Sequence, residues 1–477
     1  MADFTDNIPA DIDALARAAH AAFAAWGASD AATRAALLRG LADALEANRE
    51  RLVPLADEET HLGPVRLNGE FDRTAFQLRG FATQVEQGAA FTSTDDPAVP
   101  GAPPGGHPHL LRTRVPLGPV AMFAASNFPF AFSVLGGDTA SALAAGCPVV
   151  VRAHSGHPGL SREVAALAAG VVAAQGLPAG GCGLGDRPGT DVGAALVAPP
   201  LIAAGGFPGR VRGGRALEKI AQARPRPIPF FGELGSVNPV VALPAALATR
   251  GDELAKGLAG SITMGCGQFC TSPGVILVPT GADGDAFVAA LVAALRSAPT
   301  HAMLTPQMRA GFEAGRAAWA AHPALQALLA EPAAEGALPR PFLAQVEAAT
   351  FIADAHLHEE VFGPAALVVR VADTAQAIDV LRAVGGTLTV TIWGADEASE
   401  ANTALVRAAA QVAGRVLFAG FPTGVAVTAG QQHGGPFPSS TQPVTTSVGW
   451  AAMDRFLRPV ALQDAPAWLA AREGRPC

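Results

Sequence analysis

Two cysteines, Cys266 and Cys270, lie in the glycine-rich stretch GCGQFC, and several kinds of chemistry use cysteines placed in this way. A structural zinc site needs about four nitrogen or sulfur ligands, and neither a second cysteine pair nor an HxxxH motif accompanies this one. A redox pair has two intervening residues, whereas this pair has three. The spacing therefore leaves a buried structural thiol as the commoner interpretation and a nucleophile at Cys270 as the other.

A thiol nucleophile that attacks a carbonyl needs a donor for the oxyanion and a base that activates water. Glu233 in FFGELGSVNP lies among apolar residues and glycines. Partial desolvation there is expected to raise the pKa of its carboxyl group toward that of a useful general base. Asn127 in AASNFPF directly follows an apolar run, and its amide can donate to an oxyanion. The structural alternatives are a Glu bound by local backbone donors and a turn residue before Pro129.

The segments that must position these residues alternate between short apolar runs, typical of strands, and Ala-rich runs, typical of helices. Strands are predicted at 120–126, 149–152, 201–207, 239–243, 275–278, 367–371, 388–394 and 415–420. Helices are predicted at 131–146, 161–175 and 213–223, and from residues 374 and 397 onward. This order predicts an α/β fold with largely parallel sheets and helices on both faces. Two further stretches, 110–118 and 456–463, have the alternation of exposed strands and could pair as an appended sheet.

The composition excludes several classes of protein. A chain of 477 residues exceeds one ordinary core, so two or more domains are expected. A net charge of -8 argues against nucleic acid or an anionic membrane as a partner. No run of about 18 apolar residues suggests a membrane span, and the acidic start MADFTDNIPADID lacks the apolar core of a secretory signal. Five sparse cysteines fit a reducing compartment, so a cytoplasmic location is expected.

Taken together, the motifs resemble those of the aldehyde dehydrogenase superfamily. ASNFPF, GELGSVNP, GQFCTSPG and EEVFGP occur in the order found in that family, and the resemblance covers nearly the whole chain. Further stretches, among them HAMLTP, QHGGPFPSST and TSVGWAAMDRFLRPVALQ, are similar to the branch that contains NADP-linked α-ketoglutarate semialdehyde dehydrogenases and fatty aldehyde dehydrogenases.

This resemblance implies a mechanism and a fold. Cys270 would attack the aldehyde carbon, the Asn127 amide and the Cys270 backbone N–H would hold the oxyanion, and hydride would pass to the nicotinamide. Glu233 would then activate the water that hydrolyses the thioester. The family fold implies a Rossmann-like cofactor domain at 1–105 and 119–233, a catalytic α/β domain at 234–436, and bridging segments at 106–118 and 437–477. Bridging sheets of this family extend across subunits, which implies a homodimer or homotetramer.

The resemblance also assigns cofactor-binding residues. Glu360 and Phe362 are similar to the pair that holds the nicotinamide ribose and backs the ring. Arg152 stands where relatives have a Lys that contacts the adenosine ribose. Ser155 stands where NAD-specific members carry Glu, and a small Ser permits a 2′-phosphate. The resemblance therefore favours NADP, with NAD possible, and the ligand spacing considered above predicts no metal.

The cofactor region departs from the family pattern at several positions. The phosphate-binding Arg of the branch is replaced by Thr190, and Arg187 stands close enough in the chain to take over that role or to be a solvated surface residue. The family turn FTGS is FPGR here, so Phe207 and Gly209 are kept while Arg210 is introduced near the expected pyrophosphate position.

The expected substrate is a small semialdehyde of an oxo acid, with a fatty aldehyde as the alternative. Val444 stands about where many relatives carry an Arg before TSVG, which weakens the case for an acidic substrate if that Arg binds it. A catalytically weak paralogue that acts as a binding or structural oligomer is the alternative from another class. Cys266 is interpreted as a structural thiol, with the hypothesis that oxidation could link it to Cys270.

Overall fold

The computed structural model describes residues 9–187, 189, 191–334 and 336–469. Its α-helices are α1 (Ala10–Gly27), α2 (Ala31–Ala47), α3 (Arg49–Thr60), α4 (Pro64–Glu86), α5 (Gly137–Ala144), α6 (Pro158–Ala174), α7 (Asp191–Val197), α8 (Val211–Ala223), α9 (Pro244–Thr263), α10 (Ala282–Ser297), α11 (Pro306–Ala321), α12 (Ala348–Ala353), α13 (Thr374–Val384) and α14 (Glu400–Val412).

The strands form three separate sheets. They are β1 (Thr94–Asp96), β2 (Leu110–Pro116), β3 (Val120–Phe123), β4 (Val149–Arg152), β5 (Cys182–Gly185), β6 (Ala204–Pro208), β7 (Phe230–Glu233), β8 (Val240–Ala242), β9 (Val275–Pro279), β10 (Gln326–Leu329), β11 (Phe342–Glu347), β12 (Ala365–Val371), β13 (Thr387–Trp393), β14 (Ala413–Leu417) and β15 (Leu457–Gln463).

The first sheet has five parallel strands in the order β5-β4-β3-β6-β7. Successive side chains of a strand point to opposite faces, and here both faces are covered. Val149 and Val151 of β4 belong to the apolar cluster that includes α2, α4 and α5, whereas Val150 belongs to the cluster built with α1 and α7. Burial on both faces explains why these strands are uninterrupted apolar runs in the sequence.

The second sheet has seven strands in the order β10-β11-β12-β9-β8-β13-β14, parallel except for the edge pair β10 and β11. The same alternation occurs here: Leu277 of β9 faces a cluster with α11 to α14, and Ile276 faces a cluster with α9 and α10. The predicted α/β class is therefore confirmed.

The third sheet joins distant parts of the chain. β15 pairs with β2 in antiparallel register from Leu457 opposite Pro116 to Gln463 opposite Leu110, and β1 lies on the other side of β2. The predicted pairing of the two exposed-type strands is present. The domain boundaries themselves stay predictions, and residues 470–477 of the predicted last segment, including Cys477, lie outside the described residues.

One predicted helix is much shorter than expected. The helix expected at 131–146 is confined to α5, because residues before it form tight turns in which Gly137 N donates to Ala131 O at 2.9 Å. A Cβ at Gly136 would lie 2.4 Å from the same oxygen, so this turn requires a residue without a side chain. Among the described residues, no helix has both the length and the apolar character needed to cross a membrane.

A buried ion pair fastens the C-terminal segment to the first sheet. Arg455 Nη2 donates to the Asp138 carboxylate on α5 at 2.6 Å, and both side chains are largely hidden from solvent. Arg455 also donates to Ala452 O, and its guanidinium lies 4.9 Å from the Phe456 ring centroid. The pair holds the chain just before it enters β15.

Removing one partner of this pair should destabilise the protein strongly. We expect Arg455→Met to lower the free energy of unfolding by about 3–5 kcal/mol, because the Asp138 charge stays buried without its cation. Chemical denaturation measures the change. The matched control is Arg382→Met, which breaks the exposed pair with Asp379 and should cost about 0–1 kcal/mol. Equal losses in the two variants would contradict a structural role for the buried pair.

Candidate active site

The loop that carries Cys270 links α9 to β9 through three consecutive residues with positive φ. Gly265, Cys266 and Gly267 have φ values of 56°, 57° and 67°, a region that favours glycine. A Cβ at Gly267 would lie 2.2 Å from the Gly363 carbonyl carbon, so a glycine is required there. The backbone at Gly267 therefore lies very close to the Gly363 backbone, in the segment just before β12.

Asn238 holds the Cys270 backbone in place. Its amide nitrogen donates to Cys270 O and to Ser272 O, both at 2.9 Å, and its oxygen accepts from Ser236 Oγ at 2.8 Å. Thr387 Oγ1 bonds to the same serine hydroxyl at 2.7 Å. Because this network is buried, the sulfur of Cys270 has a fixed starting position.

The Cys270 thiol lies beside an imidazole and a carboxylate. Cys270 Sγ is 3.5 Å from His433 Nε2, which is 2.9 Å from Glu233 Oε1. The other carboxylate oxygen of Glu233 accepts from Ser447 Oγ at 2.5 Å. Cys270 and Glu233, which the sequence proposed as nucleophile and base, are thus brought together by the second and first sheets respectively.

The pKa of Glu233 moves in the direction opposite to the one expected. Burial raises it, but the imidazole of His433 and the hydrogen bonds from His433, Ser447 and Cys270 together lower the pKa of this carboxyl below its ordinary value. The prediction of a raised pKa is therefore wrong, because a motif in the sequence cannot show which donors surround the carboxylate. Glu233 is a fully ionised base in this arrangement.

The pKa of Cys270 lies well above its ordinary value. Desolvation of the thiol is the main cause, and the negative charge of Glu233 adds to it. The thiol is therefore protonated at neutral pH. His433 Nε2 lies within reach of both sulfur and carboxylate, so it is the group best placed to move a proton between them.

Asn127 follows β3, and its amide nitrogen donates to Gln268 O at 2.8 Å. That bond ties the asparagine to the cysteine loop and leaves a second amide proton for an oxyanion. Its own backbone oxygen accepts from the Arg66 guanidinium. The structure thus brings Asn127 to the site, while its role as an oxyanion donor stays a prediction.

The residues expected around the adenosine lie at the end of β4. Ser155 is exposed, and Arg152 donates through Nη1 to Ala153 O and through Nη2 to Gly189 O at 3.2 Å. Arg187 forms an exposed ion pair of 3.2 Å with Asp11 on α1. Thr190, the position that lacks the phosphate-binding Arg of the branch, lies outside the described residues.

The FPGR turn leads from β6 into α8. Gly209 N donates to Glu233 O at 2.9 Å, and the Phe207 ring covers Gly209, where a Cβ would lie 2.7 Å from the ring. Arg210 occupies the N-cap position of α8, where no side chain of the described residues caps the helix. The first turn of α8 therefore offers backbone N–H groups to an anion such as a pyrophosphate.

Glu360 connects this turn to the nucleophile. Its carboxyl is buried, which raises its pKa to about 7 although Arg210 and a backbone hydrogen bond from Ser236 oppose the shift. A Cβ at Gly235 would lie 2.9 Å from its carboxylate oxygen. Phe362 lies two residues further, next to the Gly363 backbone that contacts the cysteine loop. The structure thus brings Glu360 and Phe362 to the segment that contacts the cysteine loop, while their roles in cofactor binding stay predictions.

Sequence reasoning missed two residues of this site. His433 and Ser447 come from the long segment after β14, far from Cys270 in the chain, and their contact with Glu233 depends on how that segment folds back. His433 does lie in the stretch QHGGPFPSST that the sequence singled out as a resemblance, so a signal for its position existed without a signal for its role.

Comparisons with known proteins agree with this geometry. A model described as the aldehyde dehydrogenase family matches residues 1–442. The chain belongs to the aldehyde dehydrogenase family. It is therefore an enzyme that oxidises an aldehyde to the carboxylic acid with NAD(P), as the resemblance implied.

Two curated relatives match nearly the whole dehydrogenase. The alpha-ketoglutaric semialdehyde dehydrogenase 2 of Azospirillum brasilense is 45% identical over 464 residues, which are 96% of this chain and 87% of the relative. The alpha-ketoglutaric semialdehyde dehydrogenase of Acinetobacter baylyi is 40% identical over 467 residues, 95% of this chain and 86% of the relative. Among solved structures, aldehyde dehydrogenase 21 of Physcomitrella patens has the same fold, with a TM-score of 0.79 at 21% identity over 96% of this chain and 91% of that one.

Cys270, His433 and Glu233 also have the sulfur, nitrogen and oxygen ligand atoms that Zn²⁺ accepts, and these atoms lie within 4.8 Å of one another. A cation held there would occupy the sulfur that the sequence predicts as the nucleophile. Cys266, in contrast, is fully buried in the cluster beside the seven-stranded sheet, and burial raises its pKa to about 11. The hypothesis of a Cys266–Cys270 link stays a prediction.

Removing the charge of Glu233 should make Cys270 easier to alkylate. We expect Glu233→Gln to lower the pKa of the thiol and to speed its reaction with iodoacetamide at pH 7.5 about tenfold, the change in thiolate population for one pKa unit. In the unchanged enzyme the rate should keep rising with pH through the alkaline range. Mass spectrometry of the Cys270 peptide measures both.

The control for this experiment is Glu359→Gln. Glu359 has a side chain that is 77% exposed, so removing its charge should leave the alkylation rate unaltered. A Glu233→Gln enzyme that alkylates no faster than the unchanged protein would show that the carboxylate does not control the thiol.

Proposed function

We propose that this enzyme oxidises α-ketoglutaric semialdehyde to the dicarboxylic acid, with NADP as the preferred cofactor. The observation that carries the proposal is identity of 45% and 40%, over almost the full chain, to two proteins with that named activity. The thiol, imidazole and carboxylate cluster supports the chemistry, because thioester formation and hydrolysis need a nucleophile and a base within one site.

In this proposal the chain's own groups act in a fixed order. His433 Nε2 takes up the thiol proton of Cys270 and passes it to Glu233 as the sulfur bonds to the aldehyde carbon, and the carbonyl oxygen becomes an oxyanion. Glu233 loses this proton to solvent before hydrolysis. The Asn127 amide and the Cys270 backbone N–H donate to that oxygen. After the thioester has formed, the ionised Glu233 takes a proton from water and the water oxygen bonds to the acyl carbon. The C–S bond then breaks and the leaving sulfur takes the proton from Glu233, so that the acid and the thiol are released.

The residues present fit a dinucleotide. NADP, when bound, supplies the hydride acceptor for the oxidation. The uncapped first turn of α8 with Gly209 would hold the pyrophosphate, and Glu360 and Phe362 would hold the ribose and ring next to Cys270. Phe207 and Arg210 flank the same turn.

Preference for NADP over NAD is supported by Ser155. It is exposed at the end of β4 and carries no charge that would repel a 2′-phosphate. Arg152 ends the strand three residues before Ser155, whereas Arg187 is engaged with Asp11. We therefore propose Arg152, rather than Arg187, as the cation nearest to the phosphate.

A homodimer or homotetramer and a cytoplasmic location belong to the same proposal. β15 is the edge strand of the three-stranded sheet and exposes several of its side chains, so it offers backbone groups to a second subunit. The four described cysteines are free, which agrees with a reducing compartment.

The proposed activity is tested by following reduced cofactor with a panel of aldehydes. We expect α-ketoglutaric semialdehyde with NADP to give the highest kcat/KM, and Cys270→Ala to abolish turnover because no other described thiol lies beside Glu233 and His433. Pentanal and decanal represent the alternative fatty aldehyde activity. A higher kcat/KM for decanal would reject the proposed substrate while leaving the reaction class intact.

Cofactor preference is tested by placing a carboxylate at Ser155. We expect Ser155→Glu to raise KM for NADP about tenfold or more and to leave KM for NAD equal or lower, because the new charge repels a 2′-phosphate and accepts from a 2′-hydroxyl. Ser155→Ala is the control and should keep the original preference. An unchanged NADP/NAD ratio in Ser155→Glu would place the 2′-phosphate elsewhere.

A further inference from the structure

A stripe of polar side chains on α4 is turned toward the protein interior. Arg66, Glu70, Arg73 and Gln77 are spaced by four, three and four residues and therefore share one face of the helix. Each has at least one buried polar atom without a partner among the described residues, and on the two arginines these are Nε and Nη1 of Arg66 and Nε and Nη2 of Arg73. Neither the fold nor the proposed mechanism uses these N–H groups.

Aromatic rings place both arginines beside the nucleophile. The Arg66 guanidinium lies 4.7 Å from the ring centroid of Phe269, the residue before Cys270, and 5.0 Å from that of Phe128, the residue after Asn127. The Arg73 guanidinium lies 5.3 Å from the Phe132 ring, which packs on Phe128. Arg73 also interacts electrostatically with Cys270 and Glu233.

The nearby carboxylates leave the N–H groups named above without a partner. Glu70 and Glu233 both act on Arg73 through their charge, and Glu70 Oε1 already accepts from the backbone N–H groups of Phe130 and Ala131 at 2.7 and 3.0 Å. Burial raises the pKa of Glu70 to about 7, so near neutral pH it carries only part of a negative charge. Unpaired buried N–H groups cost stability unless a ligand satisfies them.

A carboxylate is the ligand that matches this arrangement. Its two oxygens accept several N–H bonds from guanidinium groups in a geometry that matches them. The position where many relatives have an Arg before TSVG holds Val444 here. The Val444 side chain is 89% exposed and has no charge with which to bind a carboxylate. The cation for an acidic substrate must therefore come from another element.

We propose that Arg66 and Arg73 bind the remote carboxylate of the substrate, so that α4 selects short aldehydes with a terminal acid group. The aldehyde carbon then lies at Cys270, with the chain of the substrate over Phe128 and Phe269. This inference rests on the proposed function, since α-ketoglutaric semialdehyde has an aldehyde at one end and a 2-oxo acid at the other.

The competing role for the two arginines is to tune the Cys270 thiol. A cation that only stabilised the thiolate would act on every aldehyde equally, whereas a carboxylate anchor acts on acidic ones. The ratio of kcat/KM for an acidic substrate to kcat/KM for a neutral one of similar length separates the two roles.

The experiment compares α-ketoglutaric semialdehyde, succinic semialdehyde and pentanal in Arg66→Gln, Arg73→Gln and the unchanged enzyme. We expect each substitution to lower the acid-to-pentanal ratio of kcat/KM about 10- to 100-fold, the range for losing a hydrogen bond to a charged group, mainly through KM. Arg73→Lys should recover part of the loss, because it restores the charge without the two-pronged geometry.

Arg79→Gln is the matched control on the same helix. Arg79 points outward and pairs with Asp43 and Glu46, so its removal should leave the ratio unaltered. The iodoacetamide rate of Cys270 across pH 7–10, measured in every variant with the cofactor absent, reports separately on tuning of the thiol.

The outcomes distinguish the anchor from the proposed function. An equal loss on acidic and neutral aldehydes, with a shifted alkylation profile, overturns the anchor and assigns the arginines to the thiol. Arginine-dependent preference for succinic semialdehyde, with no turnover of α-ketoglutaric semialdehyde, rejects the proposed substrate and supports the anchor. An unchanged enzyme that prefers pentanal rejects both.

Discussion

The buried carboxylate of Glu233 is the point on which the rest of the structure converges. It ends the last strand of the five-stranded sheet, yet its oxygens accept from His433 and Ser447 of the C-terminal segment, and its charge acts on Cys270 from the second sheet. A buried carboxylate is costly without such partners. The three regions must therefore assemble together before the charge is satisfied, and the catalytic groups meet as a consequence of that requirement.

The two large sheets form a rigid support that fixes where Cys270 and Glu233 lie. Two sheets buried on both faces give stiff supports, because each strand alternates its side chains between two apolar clusters. The catalytic side chains occur where strands or helices end. There the backbone turns sharply, as at Gly267 against Gly363 and at the turn after β6. The sheets thus provide rigidity, and the loops present the side chains of the site to a ligand.

Much of this could be predicted from the sequence, and for identifiable reasons. Fully buried strands such as β4 and β9 are uninterrupted apolar runs, and Cys270 and Glu233 lie in short motifs whose order resembles that of the aldehyde dehydrogenases. The exposed pair β2 and β15 was visible from its alternation. The length of α5 was not predicted, because the turns before it are held by backbone hydrogen bonds, as from Gly137 N to Ala131 O, that the amino-acid composition does not distinguish from those of a helix.

The site residues that escaped prediction share a physical cause. The pKa of Glu233 and the position of His433 depend on contacts between segments separated by the whole catalytic region, which local patterns do not encode. The polar stripe on α4 was missed for another reason, because its spacing alone is typical of an exposed helix face. Arg66, Glu70 and Arg73 have the spacing of an ordinary solvated helix face, and only the packing shows that this face is turned inward.

Glu70 adds a consequence for how this enzyme could be altered. Its carboxylate accepts from the backbone of Phe130 and Ala131, a few residues after Asn127, while the same side chain lies between Arg66 and Arg73. Glu70 therefore connects the two arginines proposed to bind the substrate with the loop that carries Asn127. A laboratory or a lineage that retargets the pocket by changing the arginines retains catalytic geometry only while Glu70 is kept. Substrate specificity is therefore expected to change by substitution at positions other than Glu70.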